Sequence, residues 1–391
     1  MTIRDVLVQI YIFFITVRDF FLYRLLNPLA TRTRPTRSAG KELLVVRCDA
    51  IGDYILFRDF LAEIKQSARF SGYRITLCGN ALWRDVAERF DRATIDDFIW
   101  LERKRFMKSA RYRPGILNRV RARHYTCVIN PAFSRDYFVD DEIVRYASAN
   151  EKIGISGDDA NTFPLLKRLA DRYYTTLIEA TGDTMFEFNR NREFSQKLLG
   201  TPSAVDRPRL DVSAIKPPIE LPGDFVVLFP SASIKYKRWD TANFAVIADH
   251  VAERYGLSII VAGAPSDGTY AREIASRARC PIIDITGKTT IPELAAVLAK
   301  ARLLVSNDTV AVHLATAVGA TSICISQGGR FGRFVTRSRE VFPENYFIYP
   351  DEIMRNIADP KLGEKYKYGS DLSINGIRPE RVIELVDVIL A

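Results

Sequence analysis

The chain holds only three histidines in 391 residues, His124, His250 and His313, and none is paired at ligand spacing. Its five cysteines, Cys48, Cys78, Cys127, Cys280 and Cys324, include no C-x-x-C pair. Both scarcities argue against a zinc site built from the protein's own ligands, and the cysteines read as buried thiols of a reducing compartment. Neither G-x-G-x-x-G after a strand-like run nor G-x-x-x-x-G-K-[ST] occurs, which counts against a nicotinamide oxidoreductase and a P-loop nucleotidase. Long apolar runs are missing too. The best of them, Val6 to Val17, would span about 18 Å as a helix, against roughly 30 Å of bilayer core. Extending it across Arg18 and Asp19 adds ~2.5–3.5 kcal/mol per charge, and no small-x-small cleavage site follows.

What is present suits a folded chain of two domains: 47% hydrophobic and 26% charged residues, with a net charge of +9. The charge is unevenly spread. Arg4, Arg18, Arg24, Arg32, Arg34, Arg37 and Lys41 stand against Asp5 and Asp19 in the first 41 residues, and a second basic block runs from Arg103 to Arg123. The aromatic, arginine-flanked N-terminus is expected to lie as an amphipathic helix on the cytoplasmic face of an inner membrane, with TRTRPTRSAG behind it as a basic tether. Nucleic acid is not an expected partner, because no recognised binding module accompanies the basic residues.

From residue 41 onward, short apolar runs alternate with helix-length amphipathic segments. ELLVVRC, RITLCG, DFIWL, YTCVIN and EKIGIS form one series; DFVVLFP, LSIIVAG, PIIDI, RLLVSND and TSICIS form another. Such alternation predicts two parallel α/β sheets, each covered by helices. Proline-bearing residues 202–222 separate them. The expected division is 1–40 for the arm, 41–205 and 220–375 for two doubly wound domains, and 376–391 for a terminal helix. Ligands of such folds bind at the carboxyl ends of strands, here in the cleft between domains.

Three stretches carry chemistry. In VVRCDAIGDYILF, Gly52-Asp53 stands where strand gives way to helix; Asp53 reads equally as a residue that starts a helix and as an ionisable group at a strand's carboxyl end. FPSASIKYKRWD brings Ser231, Ser233, Lys235, Lys237 and Arg238 together after a strand, either a phosphate cradle or a basic surface loop. In LLVSNDTVAVHLATAVGA a strand ends at Asp308 and a helix begins at once, leaving the amides of Thr309, Val310 and Ala311 free for an anion, with His313 one turn in. The glycine-rich QGGRFGR reads as a flexible loop at the mouth of the cleft.

In order and spacing these segments, with GAPSD and ITGKTTIPELAAVLAKARLLVSNDT, resemble glycosyltransferase family 9, the heptosyltransferases acting on lipopolysaccharide. The resemblance implies a GT-B architecture, two Rossmann-like domains facing a central cleft. It also implies inverting transfer with no cofactor and no bound metal, from a nucleotide-sugar donor such as ADP-heptose to a lipid-linked glycan acceptor. By position, Asp53 matches the catalytic base. Lys237, with Ser231 and Ser233, matches the diphosphate site, to which the Thr309 and Val310 amides belong; Asp308 and His313 match donor-sugar contacts, and Thr289 and Asp267 match the nucleoside site. The chain departs from the family at Val310, where glycine is usual, at Ala311-Val312, and at Gln327-Gly328-Gly329-Arg330. These departures lie on the donor side. They leave room for another sugar, for another GT-B enzyme such as a nucleotide-sugar epimerase, or for a non-catalytic glycan- or membrane-binding protein.

Overall fold

Strands buried on both faces read as unbroken apolar runs, and each of the ten runs quoted above is a strand in the computed structural model. The structure describes residues 3–37, 39–182, 184–232, 234–334 and 342–391. The first sheet comprises β1 (Thr36–Arg37), β2 (Glu42–Arg47), β3 (Arg74–Asn80), β4 (Asp97–Leu101), β5 (Arg123–Asn130), β6 (Ser148–Ile155) and β7 (Thr176–Ile178). The second comprises β8 (Phe225–Phe229), β9 (Ser258–Val261), β10 (Ile282–Asp284), β11 (Leu303–Asn307), β12 (Ser322–Ile325) and β13 (Asn345–Ile348). Their spatial orders are β4-β3-β2-β5-β6-β7, with β1 beside the start of β5, and β10-β9-β8-β11-β12-β13, all parallel.

The two orders are the same doubly wound pattern, so each sheet reverses direction of winding once, between β2 and β5 and between β8 and β11. The crevice at that reversal is where such folds take ligands. The segments that follow those four strands contain Asp53, Ser134, Lys237 and Asp308. Helix pairs hold the two halves face to face: Ile51–Ile55 meets Val310–Val318, and Arg84–Phe90 meets Ile291–Leu298, where Asp85 Oδ2 accepts from the Ile291 amide at 3.0 Å. One continuous apolar core runs from Leu43, Val45 and Phe60 in the first half to Val227, Leu304 and Leu314 in the second. The terminal helix Pro379–Leu390 belongs to the second half, burying Val382, Val386 and Leu390 against helix Thr241–Tyr255.

The arm is a helix over Ile3–Ala30 that continues through Arg18-Asp19, longer than its apolar stretch. One face docks on the first domain. Tyr23 and Asn27 are buried, the Asn27 amide donates to Glu142 at 2.7 Å, and Arg24 donates to the Tyr173 hydroxyl at 2.6 Å. The opposite face leaves Phe14, Phe21, Leu25 and Leu29 exposed. The arginine-rich run behind it is pinned rather than slack: Thr33 donates to Asn118, the Thr36 amide to Ala122, and Thr36–Arg37 adds an edge strand to the sheet. Among the described residues, no helix is long and apolar enough to cross a membrane.

Candidate functional site

Strand β2 ends in Arg47, a fully buried guanidinium that donates to Asn191 at 3.2 Å, to the Asp53 carbonyl at 3.3 Å and to Glu187 at 3.4 Å, and pairs with Asp49 at 2.8 Å. A charge inside an otherwise apolar strand is costly unless its donors are used, and here they fix the loop that carries the base candidate. Asp53 is the third residue of helix Ile51–Ile55, and its Oδ2 accepts from the Ala50 amide at 3.3 Å. Oδ1 accepts no hydrogen bond from any described residue. The helix-starting and the functional readings of Asp53 are therefore compatible: one oxygen holds the turn, and the residue lines the cleft.

Burial raises the pKa of Asp53, and the nearby Glu187 carboxylate raises it further, against Arg47, Arg333 and His313. Glu187 itself is held below its ordinary value, because Arg333 and Arg47 outweigh its burial. Asp49 is driven well above the carboxylate range by burial, with Arg47 opposing. A carboxylate pushed upward while its neighbour stays ionised is the arrangement a general base needs.

Gly52 answers to space rather than to torsion, since its φ is not positive. A Cβ placed there would stand 2.5 Å from His313 Cδ2 in the opposite domain. Glycine at this strand-to-helix junction is therefore required by the close approach of His313. Gly52→Ala is expected to cost about 1–3 kcal/mol, the usual range for overpacking, read as a lower urea midpoint. An unchanged midpoint would show that His313 moves aside freely. His313 is buried, and burial lowers its pKa, favouring the neutral ring.

Across the cleft, Asn307 at the end of β11 donates to the Pro230 carbonyl at 2.7 Å and accepts from the Trp239 amide at 3.2 Å, fixing the basic loop beside Asp308. Lys237 Nζ then lies 3.4 Å from Asp308 Oδ2. Thr309 caps helix Val310–Val318 with its backbone alone, no side chain accepting from the first amides. Free amides and the helix dipole favour an anion at that end.

Asp53, Lys237, Asp308, Thr309, Val310 and His313 all line one cavity of about 540 Å³ between the domains. An adjoining cavity of about 290 Å³ shares Asp53 with it and is lined on the first-domain side by Asp49, Asp140, Asn80, Ser134 and Glu187. Oδ1 of Asp49 and Oδ1 of Asp140 are buried there without a partner, as acceptors awaiting hydroxyl donors would be. Three predicted residues stand elsewhere. Ser231 is buried at the end of β8 and does not line the cavity, Asp267 spends its carboxylate on the Ala264 amide at 2.8 Å, and Thr289 lies in the turn after β10. Ser233 lies outside the described residues.

QGGRFGR is not a slack loop at the mouth. Its Arg333 donates to Glu187 at 3.1 Å and to Ser134 at 2.6 Å, and the Glu187 amide donates to the Arg333 carbonyl at 2.7 Å, so the segment crosses the cleft and closes one side. Gln327, Gly329 and Arg330 line the larger cavity. Arg330 is the one non-glycine residue at positive φ, 58°, among those described, and no described carboxylate lies within ion-pair distance of it. Such strain costs ~1–3 kcal/mol and gathers at functional sites. Arg47, Asp49, Asp140, Glu187, Arg330 and Arg333 were not singled out from sequence as site residues; of these, Arg47 alone carried a local signal, as a charge in an apolar strand. No group of three His, Cys, Asp or Glu among the described residues is arranged to hold a metal ion.

Residues 116–327, more than half of the chain, match the model of the family described as Glycosyltransferase family 9 (heptosyltransferase). Lipopolysaccharide heptosyltransferase 3 of Escherichia coli is 31% identical over 105 residues, 26% of this chain and 31% of that protein. The match therefore spans about a third of the curated relative's length. A crystal structure of a family 9 glycosyl transferase from Veillonella parvula superposes with a TM-score of 0.66 at 18% identity, covering 91% of this chain and 99% of that one. An Escherichia coli heptosyltransferase solved with ADP superposes with a TM-score of 0.63 at 17% identity, covering 89% of this chain and 97% of that one. The same enzyme has been solved with ADP-2-deoxy-2-fluoro heptose. These structures share the fold of two facing parallel sheets.

Proposed function

The chain belongs to glycosyltransferase family 9, and from that premise we propose that it transfers a sugar from a nucleotide-diphosphate donor, ADP-heptose or a related one, to a hydroxyl of lipopolysaccharide or another lipid-linked surface glycan, with inversion. The observation that carries the reading is the shared cavity, in which Asp53 of the first domain faces Lys237, Asp308 and the amides at Thr309 and Val310 of the second. The related heptosyltransferase bound to ADP and to a fluorinated ADP-heptose supports an ADP-sugar as donor.

In this reaction the acceptor oxygen attacks the anomeric carbon from the face opposite the diphosphate. As the new C–O bond forms, the bond to the diphosphate oxygen breaks, and the leaving group takes the bonding electrons. The acceptor's proton goes to Asp53. Charge growing on the diphosphate is met by Lys237, Arg330 and the helix amides, fixed donors that need no rearrangement during the step. Asp308 and His313, which line the same cavity, hold the donor sugar. Val310 in place of glycine narrows the approach of backbone to phosphate, which favours a donor seated slightly farther out than in relatives with glycine there.

The arm's exposed Phe14, Phe21, Leu25 and Leu29, each worth about 1.5–3 kcal/mol when buried, support residence at the cytoplasmic face of an inner membrane, where the acceptor is anchored. A thermal-shift screen across nucleotide sugars tests the proposal. The true donor at 100 times its dissociation constant should stabilise the fold by ~2.7 kcal/mol, and silence from every nucleotide and nucleotide sugar would sink it.

A further inference from the structure

We propose that the acceptor's hydrocarbon chain is held in the groove between the arm helix Ile3–Ala30 and the helix Pro164–Asp171, with its glycan threaded from there to Asp53. The inference rests on the transferase reading above and names how its acceptor is seated. The groove has a volume of about 970 Å³, at the upper end of the range for small-molecule sites. Phe13, Val17, Phe20 and Phe21 form one wall, and Phe163 and Leu165 the other. Leu165 is 75% exposed and Phe21 66% exposed. Phe13 meets Phe163 edge-on at 6.1 Å where the walls converge, and the remaining apolar surface of the groove stays open.

The groove is not isolated. Pro164 and Arg168 border both it and a second cavity of about 380 Å³. Phe133 borders that second cavity and the 290 Å³ cavity at Asp53. The three cavities thus adjoin in order from an apolar trough to Asp53, and the middle one is lined by Lys167, Arg168 and Lys367 together with Asp158 and Asp159. Polarity changes along them as it does along an amphipathic glycolipid: hydrocarbon, then an anionic junction such as a phosphate, then sugar. Arg168 sits at the first border, and no described carboxylate lies within ion-pair distance of it. The arm, which supplies one wall, lies outside the residues matched by the family model.

The test uses the full chain and 11-(dansylamino)undecanoic acid below its micelle concentration. Dansyl fluorescence should saturate at one probe per chain. Leu165→Glu and Phe21→Glu, both at exposed positions, should each weaken binding by roughly tenfold or more, with the thermal shift given by ADP unchanged. Non-saturating fluorescence, or equal affinity in Leu165→Glu, would overturn the proposal. So would binding to phosphatidylglycerol vesicles without binding of the monomeric probe, which marks a bilayer-docking face. A fall in mass on Leu165→Glu by light scattering would overturn it too, since the groove would then be covered by a second copy of the chain. Probe binding as expected with no nucleotide sugar bound or turned over separates the cases: the groove stands and the transferase reading falls.

Discussion

Replacing Asp53 with asparagine is expected to lower kcat by about 10²–10⁴-fold while donor affinity stays near that of the parent protein. Asparagine keeps the shape and can still accept from the Ala50 amide, which Asp53 does at 3.3 Å, so the turn and its helix persist. What is lost is the site for the acceptor's proton. The stability change has a definite sign. Burial and then Glu187 raise the pKa of Asp53, so its ionised form is less favourable in the folded chain than in the unfolded one. Stability is therefore reduced above that pKa and recovered as pH falls through it. A neutral asparagine escapes this cost, and its urea midpoint at neutral pH should equal or exceed the parent's. The same shift places the acid limb of kcat/KM above the ordinary aspartate range, since the base works only when deprotonated. Glu187→Gln removes a charge that raises the pKa and should move that limb to lower pH. Normal turnover by Asp53→Asn would end the assignment of Asp53 as base.

Lys237→Ala is expected to lower kcat by about 10²–10³-fold, the usual effect of removing one fixed donor from a site of developing negative charge. Affinity for ADP should fall as well, which equilibrium titration would read directly. Because Lys237 lies 3.4 Å from Asp308, its removal also strands a carboxylate, and that contribution must be separated. A double-mutant cycle with Asp308→Asn does so: the part of the loss that persists when Asp308 is neutral belongs to the phosphate. Lys237→Arg restores charge but not the compact ammonium, and should recover only part of the rate. Unchanged kcat and unchanged ADP affinity in Lys237→Ala would remove the lysine from the diphosphate site.

Much of the fold was legible because parallel strands covered on both sides are written as unbroken apolar runs. The three strands that escaped, Thr36–Arg37, Thr176–Ile178 and Asn345–Ile348, are two to four residues long and half exposed or polar. They exist because a neighbouring strand already offers them a ladder, and no local pattern encodes that. The site divided along the same line. Asp53, Lys237 and Asp308 stand at strand-to-helix junctions, where sequence order alone implies position. Glu187 and Arg333 are 146 residues apart and meet only because the chain crosses between halves, so neither has a local signature. QGGRFGR looked slack from its glycines, yet Arg333 anchors it. In the arm, a helix rich in aromatics was visible, whereas the buried Asn27–Glu142 contact that orients it was not.

Gly52 sets the spacing between the two halves. With no side chain there, the His313 ring seats directly against the backbone that carries Asp53, so Asp53 and the helix Val310–Val318 are registered to each other without an intervening layer. Parting of the two halves by even the thickness of a methyl group breaks that registration.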